Sequence, residues 1–347
     1  QGGGAPEPPS RKRRAMHPTV KIRIATRRSQ LALTQTRWVA SELRRFRPGL
    51  EVEEIHVVTE GDRVTDKPLY QIGGKGLFVS EVEAYVARGE AELAVHSLKD
   101  VPGDVDPAPG LGLLCFPKRE DPHDVLLTRD GEELMDLRAG ARVGTTSLRR
   151  VTQLRAQRPD LAFDTLRGNV ETRLRRLDEG DFDAIVLAAA GLRRLGLLEG
   201  RKHVLMAPEL CLPAVGQGTL ALEGRLDDAT LAELLAPLED PDTRVVTEAE
   251  RAFLRTLEGS CRVPIAGHAR LSEGGQLSMV GLVGDGEGER TLRASSDVWT
   301  KSRDREGRIE EARALGRAVA QELVDAGARD LMRQAEAATF RREKTGN

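Results

Sequence analysis

The sequence predicts an α/β protein with a smaller α+β region at its C-terminal end. Between residues 20 and 200, short apolar segments typical of strands alternate with longer segments of helical periodicity. Such alternation produces parallel or mixed sheets with helices on both faces. From Pro241 the pattern changes to one helix, three strands and a long helix. Because 347 residues exceed what one ordinary core holds, two or three domains are expected.

The individual elements follow from apolar periodicity and from the glycines and prolines that end each segment. In the first part of the chain, strands are predicted at 20–25, 52–58, 93–96, 113–116 and 125–128, and helices at 29–46 and 77–87. Further on, strands are predicted at 142–146, 161–166, 183–189, 263–270, 277–284 and 290–298, and helices at 147–157, 170–179, 190–196, 241–257 and 307–326. Residues 1–19, rich in Gly and Pro, are expected to form a disordered tail.

Composition disfavours several classes of protein. No run of about eighteen apolar residues occurs, so no membrane span is expected. The three cysteines are far apart and form no CxxC pair, which argues against a disulfide framework and against a zinc site. No secretory signal is recognisable. These features predict a protein of the reducing cytoplasm.

Charge is unevenly distributed, although the net charge is only −2. Residues 142–176 contain nine arginines and three acidic residues, whereas residues 227–250 contain eight acidic residues and one arginine. Local basicity in a nearly neutral chain indicates an anionic ligand. Nucleic-acid binding through 142–176 is an alternative, which the aromatic content of 3% and the net negative charge disfavour.

Polar clusters fall where predicted strands end, at 27–29, 97–100, 145–150 and 167–169. In open α/β sheets, ligands bind at the carboxyl ends of the strands, where loops lead into helix N-termini. The four clusters are therefore predicted to face one cleft.

Asp100 lies in the segment AVHSLKDVP (94–102), where an apolar strand brings four polar side chains to its C-terminal end. An aspartate in this position can act as a general acid or base and can stabilise a cation. A turn or capping aspartate explains the motif equally well. A hydrolase triad of His96, Ser97 and Asp100 is not expected, because the sequence has no G-x-S-x-G elbow.

A site for anions is predicted at GTTSLRR (144–150), where hydroxyl side chains open a helix and two arginines follow. Arginine at a helix N-terminus opposes the macrodipole, so a nearby negative group is expected to compensate. Arg167 and Arg173 supply a second basic turn one βα unit later, and Arg194 follows the next strand. A solvated arginine face is the alternative for any one of these pairs.

The segment GGKGLF (73–78) is similar to a phosphate loop, but it lacks the GK[ST] ending and the longer glycine spacing. A mobile loop that carries Lys75 over the cleft is predicted instead. No GxGxxG motif opens a helix, which disfavours a dinucleotide site.

The three cysteines have different surroundings. Cys115 and Cys211 lie among apolar residues and are expected to pack in cores. Cys261 lies in a polar loop near Arg255 and Arg262, whose charges favour the thiolate, and it is the candidate for covalent attachment of a group. An ordinary loop cysteine is the alternative.

Eight motifs, in order along the chain, resemble those of the hydroxymethylbilane synthases (porphobilinogen deaminases). They are IATRRSQLAL (24–33), GGKGLF (73–78), AVHSLKDVP (94–102), GTTSLRR (144–150), LRGNVETRL (166–174), VLAAAGLRRLG (186–196), LPAVGQG (212–218) and LEGSCRVP (257–264). The resemblance extends from about residue 20 to residue 330. Two positions depart from the family pattern, since Ser260 stands where Gly is expected and Thr146 where Ser is expected.

The resemblance implies a three-domain transferase. Two α/β domains similar to periplasmic binding proteins, at 20–117 with 219–236 and at 118–218, would flank a cleft, and an α+β domain at 237–340 would carry the cofactor. The implied reaction joins four porphobilinogen molecules head to tail, with loss of ammonia, into the linear tetrapyrrole hydroxymethylbilane of haem biosynthesis. A monomer without a metal is implied. A non-enzymatic solute-binding protein for small anions is the alternative.

The resemblance also implies the roles of individual residues. Asp100 would be the catalytic residue, and Cys261 would hold a dipyrromethane cofactor through a thioether. The carboxylates of cofactor and substrate would be bound by Arg27, Ser29, Ser97, Lys99, Thr145, Ser147, Arg149, Arg150, Arg167 and Arg173. The cleft and the loop over it would include Lys75, Phe78, Arg194 and Gln217.

The chemistry of porphobilinogen agrees with this charge pattern. Each unit carries an acetate and a propionate group, so the growing chain accumulates negative charge that an arginine-rich cleft can bind. Loss of ammonia leaves an electron-poor azafulvene cation. A carboxylate such as Asp100 can protonate the departing amine, stabilise the cation and then help to remove the ring proton.

Overall fold

The computed structural model describes residues 20–57, 77–103, 105–258 and 263–345. Its strands are β1 (Lys21–Arg27), β2 (Glu51–Val57), β3 (Leu93–Ser97), β4 (Leu111–Cys115), β5 (Asp124–Thr128), β6 (Arg142–Gly144), β7 (Ala162–Asp164), β8 (Ala184–Ala188), β9 (Val204–Leu205), β10 (Leu220–Arg225), β11 (Ile265–Leu271), β12 (Gln276–Gly284) and β13 (Thr291–Trp299). Its α-helices are α1 (Gln30–Phe46), α2 (Leu77–Ala87), α3 (Leu148–Gln157), α4 (Val170–Asp178), α5 (Ala189–Arg194), α6 (Ala229–Leu235), α7 (Pro241–Leu257), α8 (Arg305–Asp325) and α9 (Ala328–Thr345).

Two five-stranded sheets share one topology. The first has the strand order β2-β1-β3-β10-β4, and the second has the order β7-β6-β8-β5-β9. In each sheet three neighbouring strands are parallel, and the fourth, β10 or β5, is antiparallel to both of its neighbours. Strand β10 belongs to the first sheet although it follows the whole second sheet in sequence, so the chain passes between the two sheets twice. The predicted pair of α/β domains is confirmed.

The third domain is the predicted α+β unit. Its antiparallel sheet, β11-β12-β13, packs against α7, α8 and α9 around a core that includes Phe253, Leu277 and Val319. Helix α8 approaches α7 so closely that a Cβ atom at Gly316 would lie 2.0 Å from the carbonyl oxygen of Ala249. Only glycine fits this contact.

The predicted strands and helices are confirmed to within about two residues at each end, over the part of the chain that is described. Strands β9 and β10 and helices α6 and α9 have no counterpart among the elements predicted from periodicity. Gly327 ends α8 in the left-handed region at φ 98°, and the segment after it is rich in charge. Helix α9 therefore begins beyond a strong stop signal, and its packing on β12 and α8 makes it an element of the core.

Burial accounts for the two cysteines that the structure describes. Cys115 and Cys211 are free and buried, as predicted for residues of a core. Burial raises the pKa of the Cys211 thiol to about 12.

The predicted tail, 1–19, lies outside the described residues. Within the described ranges, none of the helices has the length and apolar character needed to cross a membrane.

Candidate active site

Asp100 follows β3 on a single 3₁₀ turn, Leu98–Asp100. Leu98 is buried, and its backbone N–H donates to the carbonyl oxygen of Thr219 at 2.9 Å, which ties the turn to the segment returning from the second domain. Lys99 and Asp100 are exposed. Within the described ranges, the Asp100 carboxylate makes no hydrogen bond or ion pair and caps no backbone N–H. It is therefore available to a ligand.

The other polar residues of this strand end have partners of their own. His96 Nε2 lies 2.8 Å from the Glu223 carboxylate, and both side chains are buried. The Ser97 hydroxyl accepts a hydrogen bond from the Gln35 amide at 3.1 Å. These contacts agree with the rejection of a hydrolase triad.

Hydroxyl groups cap the helices that begin at the predicted cleft. Ser29 accepts a hydrogen bond from the backbone N–H of Ala32 at 3.3 Å and caps α1. Ser147 caps α3 through the N–H of Arg150, and Thr145 Oγ1 accepts from the N–H of Ser147 at 3.2 Å. Such caps satisfy backbone donors that a helix leaves without intrahelical partners. The strand ends are thereby held in place.

Asp124 is the negative group that the two arginines of α3 were expected to need. Its carboxylate is fully buried and accepts hydrogen bonds from Arg149 and from Arg150, each at 2.7 Å. Burial raises the pKa of Asp124, but the charges of Arg149 and Arg150 outweigh this effect and hold it well below its usual range. The same carboxylate accepts from Gln217 at 3.0 Å and from the Cys211 thiol at 3.3 Å. One carboxylate therefore orients two cations.

Arg149 and Arg150 do not form a solvated arginine face. Both are only 6% exposed, and they also donate to the carbonyl oxygens of Leu212 and Val186. Gln217 is likewise buried, and its amide oxygen has no hydrogen-bond partner in the described structure. That acceptor is open to a donor from a ligand or a water molecule.

Electrostatic contacts connect the two sides of the cleft. The Lys99 side chain reaches solvent, but many protein atoms surround it, and the resulting loss of hydration lowers its pKa to about 8. The negative charge of Asp100 opposes this decrease in pKa, and the positive charge of Arg150 adds to it. Burial lowers the pKa of Arg173 to about 10, and Arg150 and Arg167 add to this shift. Lys99 follows a strand of the first sheet, whereas the arginines belong to the second domain. Lys99 at the end of β3 and the arginines of the second domain therefore lie near one another.

The remaining predicted residues surround this cluster or lie outside the described ranges. Arg173 donates to the carbonyl oxygen of Gly168 at 2.8 Å, and Arg194 donates to that of Gly218 at 2.7 Å. Arg27 and Arg167 are half-buried at the ends of their segments. Phe78 is in the first turn of α2. The two predicted residues outside the described ranges are Lys75 and Cys261.

A junction of the three domains, which the sequence did not reveal, lies at Glu250 of α7. This buried carboxylate accepts from Arg119 at 2.7 Å and from the backbone N–H groups of Gly216 and Ala269 at 2.7 and 2.8 Å. Burial raises its pKa, but Arg119 and His268 lower it more, to about 2. Arg119 and Gly216 belong to the two segments that connect the first and second domains. Glu250 thus binds both segments that connect the first two domains and ties them to the third domain.

Asp124 and Glu250 were missed because each looks ordinary in sequence. Asp124 directly precedes the apolar run of β5, and Glu250 falls on the apolar face of α7 at helical spacing from Val246 and Phe253. An acidic residue at a core position is the signal that could have identified both, since buried charges are normally paired.

Replacement of Asp124 by Asn is expected to lower the free energy of unfolding by about 3–5 kcal/mol, because two buried guanidinium groups lose the one carboxylate that they share in the described part of the chain. The exposed pair of Arg142 and Asp164 supplies a matched control, and Asp164→Asn should cost less than about 1 kcal/mol. Urea denaturation at neutral pH measures both. Equal midpoints for the two variants would show that Asp124 does not organise the arginines.

Two family models match the chain. The model described as porphobilinogen deaminase, dipyromethane cofactor binding domain, matches residues 22–233, and that described as porphobilinogen deaminase, C-terminal domain, matches residues 245–325. A porphobilinogen deaminase from Syntrophobacter fumaroxidans is 50% identical over 313 residues, which cover 90% of this chain and 97% of the relative. One from Brevibacillus brevis is 45% identical over 312 residues, which cover 90% of this chain and 96% of the relative.

Solved structures with a similar chain path are more distant. The probable amino-acid ABC transporter extracellular-binding protein ytmK from Bacillus subtilis has 9% identity and a TM-score of 0.37, covering 63% of this chain and 89% of its own. The BvgS VFT2 domain from Bordetella pertussis has 20% identity and a TM-score of 0.36, covering 64% of this chain and 86% of its own. Neither likeness bears on function.

Proposed function

The chain belongs to the porphobilinogen deaminase family, and on that premise we propose that it is a transferase that condenses four porphobilinogen molecules into hydroxymethylbilane with release of ammonia. The observation that carries this proposal is the Asp100 carboxylate, which makes no hydrogen bond or ion pair within the described residues and lies near a cluster of cations. Among the described residues, five cations and two carboxylates form this cluster: Lys99, Arg149, Arg150, Arg167 and Arg173 with Asp100 and Asp124.

The excess of positive charge suits a substrate with two carboxylates per unit. A guanidinium group binds a carboxylate through two parallel hydrogen bonds, and each charge-assisted bond contributes about 1.5–3 kcal/mol. Because Asp124 already fixes Arg149 and Arg150, these side chains lose little conformational entropy when an anion binds. We assign carboxylate binding to them and to Arg27, Ser29, Ser97, Lys99, Thr145, Ser147, Arg167 and Arg173, with Arg194 and Gln217 lining the cleft.

The same residues fit a dipyrromethane cofactor, which carries carboxylates of the same kind. When bound, this cofactor supplies the pyrrole end to which substrate units are added. We propose Cys261 as its attachment point, although this residue lies outside the described ranges. Helix α7 ends at Leu257, and its last turns pack on the segment that follows Asp100: Arg255 donates to the carbonyl oxygen of Gly103 at 3.2 Å. This contact places the end of α7, a few residues before Cys261, close to the segment that follows Asp100, and it supports the assignment.

Asp100 is proposed to transfer the protons. Its exposed carboxylate, next to Lys99, can protonate the departing amine of porphobilinogen, stabilise the resulting cation and accept the ring proton after the new bond forms. The surrounding arginines hold the substrate carboxylates and so orient the ring toward Asp100.

The low pKa of Lys99 predicts a pH dependence. As the pH rises through about 8, Lys99 loses its proton and the cleft loses one positive charge, so the KM for porphobilinogen is expected to increase. Lys99→Arg keeps its charge throughout this range and should flatten the increase. Steady-state kinetics of both proteins at a series of pH values measures the difference. Parallel profiles would mean that Lys99 does not contribute to substrate binding.

The proposed function is tested directly by supplying porphobilinogen to the purified protein. We expect one ammonia per porphobilinogen consumed and one linear tetrapyrrole per four. A non-enzymatic solute-binding protein would instead bind porphobilinogen saturably and consume none. The names of the relatives favour the enzyme over this alternative.

The proposal extends to organisation and location. We propose domains at 20–117 with 219–236, at 118–218 and at 237–340, a division that the three separate sheets support. We also propose a monomer that works in the cytoplasm, without a membrane or nucleic-acid partner. Two free, buried cysteines support a reducing location.

A further inference from the structure

A glycine-rich hairpin of the third domain lies against α3 of the second domain. It joins β12 to β13 through residues 285–290. The Asp285 carboxylate closes the turn, because it accepts hydrogen bonds from the backbone N–H groups of Glu287 and Gly288, each at 2.8 Å. Glu287 in turn accepts a hydrogen bond from Arg155 of α3 at 2.8 Å. The hairpin thus has a defined shape and contacts the helix directly.

Gly284, the last residue of β12, and Gly288, in the turn, leave no space between the hairpin and α3. A Cβ atom at Gly284 would lie 2.3 Å from Cγ2 of Thr152, and one at Gly288 would lie 2.8 Å from the carbonyl oxygen of the same residue. Thr152 is fully buried, so its side chain is surrounded by packed atoms. The backbone of the hairpin therefore packs directly on α3, and glycine at these two positions permits the contact.

A second contact of the third domain supports the same helix. Leu212, in the segment that leaves the second domain, is fully buried and packs with Ala266 of β11 and Leu282 of β12. Its carbonyl oxygen accepts hydrogen bonds from Arg149 at 2.7 Å and from Gln153 at 3.1 Å. The third domain therefore contacts α3 through the hairpin and supports the Arg149 guanidinium through Leu212.

The position of α3 determines where its arginines lie. The first turn of the helix carries Arg149 and Arg150, so a displacement of the helix moves both guanidinium groups. A guanidinium binds a carboxylate through two parallel hydrogen bonds, whose strength depends on distance and angle. A packed interior transmits a displacement, and a misplacement of about 1 Å can cost about 10²-fold in rate. A contact at Thr152, one turn after Arg149, is close enough to have this effect.

We propose that residues 284–290 are a positioning element through which the third domain fixes the arginines of α3 in the active site. The element acts on substrate binding only through Arg149 and Arg150. This inference rests on the proposed function, because it assigns those two arginines to the carboxylates of porphobilinogen. The domain proposed to hold the cofactor then also determines where the incoming substrate is bound.

Gly284→Ala is expected to raise the KM for porphobilinogen by about ten-fold or more, the equivalent of one lost charge-assisted hydrogen bond. The added methyl group collides with Thr152 and so displaces α3. The change in kcat should be smaller, since Asp100 lies in the first domain and keeps its position.

The second substitution Thr152→Ala is expected to reverse this effect. It removes the methyl group that the new Cβ would meet and leaves the next heavy atoms 3.5 Å away, an ordinary contact. The double variant should therefore recover the KM of the unaltered protein. Thr152→Ala alone should change the KM little, because the Thr152 hydroxyl has no hydrogen-bond partner in the described structure.

A further pair of variants controls for strain within the hairpin itself. Gly286 and Gly288 have similar backbone conformations, at φ 88° and 82°, so alanine strains the turn at either position. The new Cβ would meet α3 at Gly288, whereas nothing in the described part of the chain lies within 4 Å of it at Gly286. Gly288→Ala is therefore expected to raise the KM and Gly286→Ala to leave it nearly unchanged. Circular-dichroism melts verify that both variants are folded.

Hydrogen–deuterium exchange of α3 supplies a readout that does not depend on turnover. The amides of α3 should exchange faster in Gly284→Ala and Gly288→Ala than in the unaltered protein, and the double variant should restore their protection. If the unaltered protein released no tetrapyrrole, the proposed function would fail, whereas the exchange would still decide whether the hairpin holds α3. An unchanged KM in both Gly284→Ala and Gly288→Ala, a rise that Thr152→Ala leaves in place, or an equal rise in Gly286→Ala would overturn the positioning role.

Discussion

Replacement of Asp100 by Asn is expected to lower the rate of tetrapyrrole release by roughly 10²–10⁴-fold from the loss of acid–base catalysis alone. The amide keeps the size of the side chain but can neither donate a proton at the right moment nor balance a pyrrolic cation. Loss of electrostatic stabilisation adds to the effect. Because the carboxylate makes no hydrogen bond within the described ranges, the substitution should leave the fold and the melting temperature nearly unchanged.

Two further variants make this result specific. Asp100→Glu keeps the charge but moves it by one methylene group, so partial activity should remain. Asp136→Asn neutralises an exposed acid of the second domain and should retain full activity. Tetrapyrrole release is measured together with a circular-dichroism melt. Nearly normal release by well-folded Asp100→Asn would assign the proton transfer to another group, and loss of the fold would return Asp100 to a structural role.

Replacement of Cys261 by Ser is expected to abolish product formation, because a hydroxyl group does not form the proposed thioether. The unaltered protein should exceed its sequence mass by one dipyrromethane and should give a pyrrole colour reaction after denaturation. Cys261→Ser should lack both signals. Mass spectrometry of the intact, denatured protein measures the difference directly.

Cys115 provides the matched control for this experiment. It is buried in the core of the first domain, where its thiol has a strongly raised pKa because of burial, so it is not a nucleophile at neutral pH. Cys115→Ser should therefore keep the added mass and the colour reaction. An active protein with an unmodified Cys261 would contradict the proposed attachment.

The arginines of α3 show how the sequence and the structure contribute differently to the site. The motif at 144–150 predicted a helix start with two cations and an unidentified compensating charge. In the structure this charge is the carboxylate of Asp124, more than twenty residues earlier in the chain. The same carboxylate also accepts a hydrogen bond from Gln217, which lies in the segment that leaves the second domain. Arg149 and Arg150 are consequently buried and fixed before any ligand binds.

Local pattern was sufficient for the fold class, for most element boundaries and for the four polar strand ends. These properties depend on residues close together in sequence: alternation identifies β1, a short apolar run identifies β3, and Ser29 and Ser147 cap the helices that follow their strands. Strand β10 and helix α9 depend instead on distant partners. The six residues of β10, which include the buried Glu223, form an inner strand because β3 and β4 pair with them on either side.

The tertiary structure alone decided which charges meet. Asp124 with the arginines of α3 and Glu250 with Arg119 are pairs of residues that are far apart in the chain. Charge patterning along a sequence reveals an excess of cations but not their counter-ions, because Coulomb energy depends on distance in space and on burial. A single chain therefore predicts that an anion binds, whereas the fold determines which carboxylates hold and orient the arginines proposed to bind it.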